Sequence, residues 1–73
     1  DINTTEWMFQ IFAIGLVLTA ESLNTAIEAI CDFIQPNYDK KIGLIKDIAA
    51  GAVTFAAFTA IIIGAIIYLP KLY

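Results

Sequence analysis

Histidine and arginine are absent from this 73-residue chain, and cysteine, methionine and tryptophan occur once each. A single cysteine excludes an intramolecular disulfide framework, and without histidine it excludes most zinc sites. Cations are scarce: four lysines stand against seven acids, a net charge of -3. That balance argues against a nucleic-acid partner gripped through its phosphates. Charge of either sign is thin, at 15% of residues against about 25% in an average soluble domain. A chain this short is one structural unit at most, and in water it would need a polar shell around a small core. Instead 60% of its residues are hydrophobic, which makes the bilayer the expected solvent. No initiator methionine or basic segment precedes the first apolar run, so the chain is read as part of a longer protein rather than as a signal peptide.

What is present is organised around two apolar runs. Ile48 to Leu69 holds 22 residues without a charge, enough to span about 33 Å as a helix. The earlier uncharged run, Trp7 to Ala20, has only 14 residues, too few to cross alone. No proline or glycine interrupts the chain between Gly15 and Phe33, so one long helix over about 5–33 is expected, its first half in lipid and its second half climbing to a membrane surface. Residues 34–43 contain Pro36, Asn37 and Gly43 and read as the connection of a helical hairpin, with the second helix over about 44–69. Lys40, Lys41 and Lys46 fall in or beside that connection, which the positive-inside rule assigns to the cytoplasm. Trp7, Tyr68 and Tyr73 then suit an aromatic belt at the opposite interface. Ala52, Ala56, Ala60 and Gly64 form a stripe at i, i+4 spacing, for packing within the hairpin or against a neighbouring subunit.

Chemistry concentrates on the first helix. At 100° per residue, Glu21, Asn24, Glu28 and Asp32 share an arc of roughly 80°. Ionisable residues at or near membrane depth usually mark a site or a pathway. The plainer alternative is that Glu28 and Asp32 are solvated surface charges pairing with Lys40 or Lys46. Lys46 and Asp47 open the second helix, where a snorkelling lysine and an acid at the dipole's positive end are ordinary. The hairpin nevertheless returns them to the level of Glu28 and Asp32. A lysine suited to phosphate thus meets carboxylates suited to Mg2+, a set adequate for a metal-nucleotide complex. Cys31 has no basic partner and is read as a packing residue. Gln10, Thr54 and Thr59 are expected to hydrogen-bond between helices.

The run Glu21-Ser-Leu-Asn24-Thr-Ala-Ile-Glu28-Ala-Ile-Cys-Asp32, with Lys46-Asp47-Ile-Ala-Ala-Gly-Ala-Val53 beyond the turn, resembles the bacterial integral-membrane diacylglycerol kinase and undecaprenol kinase family. The resemblance covers essentially the whole chain, as the second and third transmembrane helices of a three-helix protomer. It implies an all-α membrane protein, a homotrimer with sites shared between subunits, embedded in the bacterial inner membrane and working at its cytoplasmic surface. It also implies an amphipathic surface helix and a first transmembrane helix upstream, the latter bearing a second metal-ligating glutamate. The implied reaction is transfer of phosphate from Mg-ATP to a lipid hydroxyl. Glu21 matches the catalytic base, Asn24 the asparagine beside it, and Glu28 a ligand of the ATP-bound Mg2+. Asp32, Lys46 and Asp47 are expected at the nucleotide, as are loop residues Asn37, Tyr38 and Asp39. Ala50 stands where the enteric member has a serine near the lipid, and Trp7 is a further candidate for lipid contact. The Ala-Ala-Gly-Ala run looks more like the undecaprenol kinase branch.

Spacing agrees with two separate roles for the glutamates. Glu21 and Glu28 lie about 10.5 Å apart along a helix axis, too far to chelate one ion together. The competing class is a non-enzymatic hairpin, structural or carrying protons or ions. A proton carrier would place one isolated carboxylate near mid-bilayer, usually on the second span, whereas here that span has no acid and three acids step toward the loop on the first.

Overall fold

The computed structural model describes residues 1–72, and the aromatic-belt expectation for Tyr73 lies outside them. Two helices make up the fold: α1, Thr4–Ile34, and α2, Lys40–Leu72. Each has a local reason to begin where it does. At α1 the Asn3 side chain accepts from the Glu6 amide at 2.8 Å, and the Glu6 carboxylate accepts from the Asn3 amide at 3.1 Å, a capping box that satisfies two orphan donors. At its other end Gln35 N–H donates to the Cys31 carbonyl at 2.8 Å, and Pro36 has no amide to carry the ladder on.

The connection is shorter than the sequence suggests. α2 starts at Lys40 rather than near residue 44, because Asp39 caps it: one carboxylate oxygen accepts from the amides of Lys41 and Ile42 at 2.9 and 3.3 Å. Gly43 therefore lies inside the first turn, donating to the Asp39 carbonyl at 2.9 Å, and is not a turn residue. Among the described residues no backbone has positive φ, so the turn rests on Pro36 and the Asp39 cap. α2 also runs past Leu69 to Leu72 and takes in Pro70, whose missing N–H costs one intrahelical bond in the last turn.

The helices pack antiparallel along one seam. On α1 the residues that lose exposure include Gln10, Ala13, Val17, Ala20, Asn24, Ile27 and Cys31; on α2 they include Lys46, Ala49, Val53, Ala56, Ala60, Ile63 and Ile67. Steps of three and four alternate on both, an average of 3.5 residues, the repeat that keeps a seam facing its partner. Five of these fourteen are alanines, small residues of the kind that allow close approach in lipid. The stripe read at i, i+4 spacing is only half used: Ala56 and Ala60 lie on the seam, while Ala52 is exposed. A Cβ added at Gly64, Gly51 or Gly15 would meet nothing within 4 Å, so these glycines do not serve the hairpin contact.

Among the described residues only Ala13, Cys31, Ala49, Ala56 and Ile67 are buried, and large apolar side chains such as Phe12, Phe55 and Ile66 are well exposed. That surface fits the helical hairpin of a membrane protein and not a water-soluble domain. Both helices are long and apolar enough to cross a bilayer. The molecule measures 52 × 19 × 12 Å, longer than the roughly 30 Å hydrocarbon core, so part of the hairpin projects beyond it.

Candidate active site at the loop end of the hairpin

Among the described residues three polar contacts fix the register between helices. The Tyr68 hydroxyl donates to the Gln10 side-chain carbonyl. The Lys71 ammonium sits 3.0 Å from both Glu6 oxygens. At the loop end, Lys46 Nζ lies 2.5 Å from Asp32 Oδ1. Each step along α1 is thus matched by a step back along α2. Glu21, midway between Gln10 and Asp32, lies opposite Ala57, midway between Lys46 and Tyr68. Glu28, one turn before Asp32, faces the level of Ala50, one turn after Lys46.

Those levels sort the expected site residues. Glu21 is exposed on α1 near the middle of the uncharged Ile48–Leu69 run of α2, where a carboxylate is costly unless it has a task. Asn24 does not stand beside the carboxylates on an outward face. It turns into the seam, half-buried, where it joins a groove with Ala20, Ile27, Ala49, Ala52 and Ala56. Its amide nitrogen donates to Glu28 Oε1 at 3.2 Å, while its own carbonyl oxygen is buried without a protein partner. Glu28 is exposed, with one oxygen held by Asn24. Ala50 shares its level rather than that of Glu21.

At the turn, two grooves meet along Tyr38, Asp39 and Gly43. The Tyr38 ring lies over Gly43, where an added Cβ would come within 3.7 Å of its Cε1. One groove also contains Asn37 and Lys46; the other contains Lys40, Lys41 and Asp47. The structure therefore places Lys46 and Asp47 on opposite sides of the loop tyrosine. The Asp39 carboxylate is engaged in capping α2. Lys40 and Lys41, read from sequence as topology signals and Lys40 also as a possible partner of Glu28 or Asp32, line the groove next to Asp47. Their position follows from the early start of α2, which the unrecognised Asp39 cap concealed.

Trp7 is not brought to this cluster. It sits half-exposed at the far end of α1, about 21 Å along the axis from Glu21 and about 37 Å from Asp32 at 1.5 Å per residue. The Glu6–Lys71 pair and the Gln10–Tyr68 bond close that far end. Sequence reading had placed only Gln10 among interhelical bonders correctly. Thr54 and Thr59 instead donate to the carbonyls of Ala50 and Phe55 in their own helix, at 3.3 and 2.9 Å, the ordinary alternative for a helical threonine.

Among the described residues no three carboxylate, cysteine or histidine side chains come together as a metal cage. A nucleotide-bound Mg2+ asks less, one or two carboxylates plus phosphates. Glu28, exposed and with one oxygen steadied by Asn24, fits that demand as a partial site.

Comparison with known proteins identifies the family. The sequence profile of the family described as Prokaryotic diacylglycerol kinase matches residues 1–68. The undecaprenol kinase of Bacillus subtilis (strain 168) is 42% identical over 72 residues, which is 99% of this chain and 58% of that protein. A diacylglycerol kinase of Synechocystis is 43% identical over 58 residues, 78% of this chain and 33% of that protein. The diacylglycerol kinase of Escherichia coli K12 is 36% identical over 62 residues, 85% of this chain and 51% of that protein. The chain thus spans roughly a third to three-fifths of these relatives. No solved structure matches it. With nearly its whole length matched, the chain belongs to the prokaryotic diacylglycerol kinase family.

Proposed function

We propose that the protein containing this hairpin is an ATP-dependent lipid kinase, transferring the γ-phosphate of Mg-ATP to the primary hydroxyl of diacylglycerol or undecaprenol. The observation that carries the reading is the meeting at one end of the hairpin of a cation, Lys46, with the carboxylate ladder of α1, whose Glu28 is held by Asn24. Glu21, deepest in the ladder, takes the proton of the lipid hydroxyl. As that oxygen bonds to the γ-phosphorus, the bond to the bridging β–γ oxygen breaks and ADP leaves. Glu28 is the chain's ligand for Mg2+, which when bound neutralises charge on the phosphates. Lys46, with Asp32 and Asn37 near it and Tyr38, Asp39 and Asp47 across the turn, forms the nucleotide end. Positioning and charge neutralisation carry most of the rate, as in phosphoryl transfer generally.

The site is completed by other parts of the protein. No three carboxylates come together among the described residues of the hairpin, which supports a further glutamate from an additional helix, in a homotrimer with sites shared between subunits. The lysine-bearing turn supports a location at the cytoplasmic face of a bacterial inner membrane. Ala50, level with Glu28, borders the acceptor headgroup. Trp7, at the opposite interface, belongs to the anchoring belt, and any lipid it touches there is too far from Glu21 to be the reacting one.

The test is transfer of labelled phosphate from Mg-ATP into organic-extractable lipid by the full-length gene product, offered diacylglycerol and undecaprenol separately. Label in either lipid is the expected result, and the preferred acceptor identifies the branch. No label in either, from folded protein with Mg2+ present, removes the kinase reading.

A further inference from the structure

The residue expected to touch the nucleotide directly, Asp32, is already engaged. Its Oδ1 holds Lys46 Nζ at 2.5 Å across the seam, from the last turn of α1 to the first turns of α2. The two partners differ in freedom. The Asp32 side chain is 63% exposed and the Lys46 side chain 36%, and Lys46 stands at a seam position of α2. Lys46 also lines the groove shared with Asn37 and Tyr38, so a ligand entering that groove meets the same lysine. A carboxylate beside an arriving polyphosphate is a like charge, and an exposed ion pair is cheap to break.

We infer that Asp32 is an internal competitor for the nucleotide: it parks Lys46 in the empty protein and gives the ammonium up to phosphate when Mg-ATP binds. Asp32 is then a positioning residue that acts through Lys46 and lowers nucleotide affinity, rather than a ligand that raises it. The exchange involves no proton or bond transfer, only replacement of a carboxylate oxygen by a phosphate oxygen at Nζ. Because the pair spans α1 and α2, it also pins the turn while the site is empty and releases it on binding. The inference rests on the kinase reading for the identity of the phosphate ligand.

The sign of one substitution tests it. Full-length protein in bilayer discs is titrated calorimetrically with Mg-ATP and with Mg-tripolyphosphate, which has the phosphates without base or ribose. Asp32→Asn is expected to tighten both by about two- to fivefold, the worth of an exposed pair. The gain should shrink as salt is raised and disappear in a Lys46→Gln background. Unchanged or weaker tripolyphosphate binding overturns the inference. So does weaker ATP binding with tripolyphosphate unaffected, which makes Asp32 a direct contact to the nucleoside. The same effect of Asp32→Asn with and without Lys46 also overturns it. A second measurement needs no variant: on adding Mg-tripolyphosphate, NMR signals of the Lys46 ammonium and the Asp32 carboxyl should move together, and a Lys46 shift with Asp32 unmoved rejects the exchange. If the wild type binds neither probe, the kinase reading falls first; if it binds both and only the Asp32 results fail, that reading stands alone.

Discussion

At the scale of single residues, Asn24 has the most demanding position. It sits at a core position of the seam, where a polar side chain costs packing but specifies register. Its amide reaches Glu28 and its carbonyl remains buried and unpaired. A group that orients a metal-binding carboxylate is typically worth 10–100-fold in metal affinity. Asn24→Ala should therefore raise the Mg2+ concentration for half-maximal activity by about 10–100-fold. A fall in maximal turnover with no change in Mg2+ dependence would instead place Asn24 at the reacting atoms. For Glu21 the expected outcome is the reverse: Glu21→Gln leaves Mg-ATP binding intact and lowers turnover by about 10²–10⁴, the usual worth of general acid–base catalysis. A loss of less than tenfold rejects it as the base.

At the scale of elements, the helices were legible where the signal is local. Pro36 ends the first helix, and the uncharged run from Ile48 announces the second. The Asp39 cap was missed because Gly43 and the lysines around it look like loop, whereas the carboxylate bonding to Lys41 and Ile42 amides makes them helix. The threonines show the same limit: a hydroxyl in a lipid-facing helix satisfies itself on its own backbone as readily as across an interface. Thr54→Val should then leave stability in detergent within about 0.5 kcal/mol of wild type, as a change away from packed features does. Tyr68→Phe, which deletes the interhelical bond to Gln10, should cost about 0.6 kcal/mol, the average for such bonds in a membrane protein. Equal losses for the two variants, measured by unfolding in mixed micelles, would contradict this assignment of partners.

At the scale of the whole molecule, the hairpin has two polar ends of different character. The far end is closed by the pairs Glu6 with Lys71 and Gln10 with Tyr68. The turn end carries the carboxylates of Glu28 and Asp32 and the grooves lined by Lys40, Lys41 and Lys46. A membrane-impermeant amine reagent should label Lys40 and Lys41 in inverted inner-membrane vesicles and leave them unlabelled in intact spheroplasts. Labelling from the outside would invert the topology and detach the site from cytoplasmic ATP.

The sequence by itself determined two spans, one turn and the family, because hydropathy, a proline and a run of motif residues are all readable along one chain. It did not determine which face of each helix meets the other. In water a buried face stands out against a polar one, but in lipid the outer face of α2 is as apolar as its seam, so Ala52 and Ala56 look alike though one is exposed and the other buried. Only the tertiary structure decided that choice, through side-chain volume at a 3.5-residue repeat and three polar contacts that set the register. That register alone shows Glu28 level with Ala50, Asp32 joined to Lys46, and Trp7 at the far end.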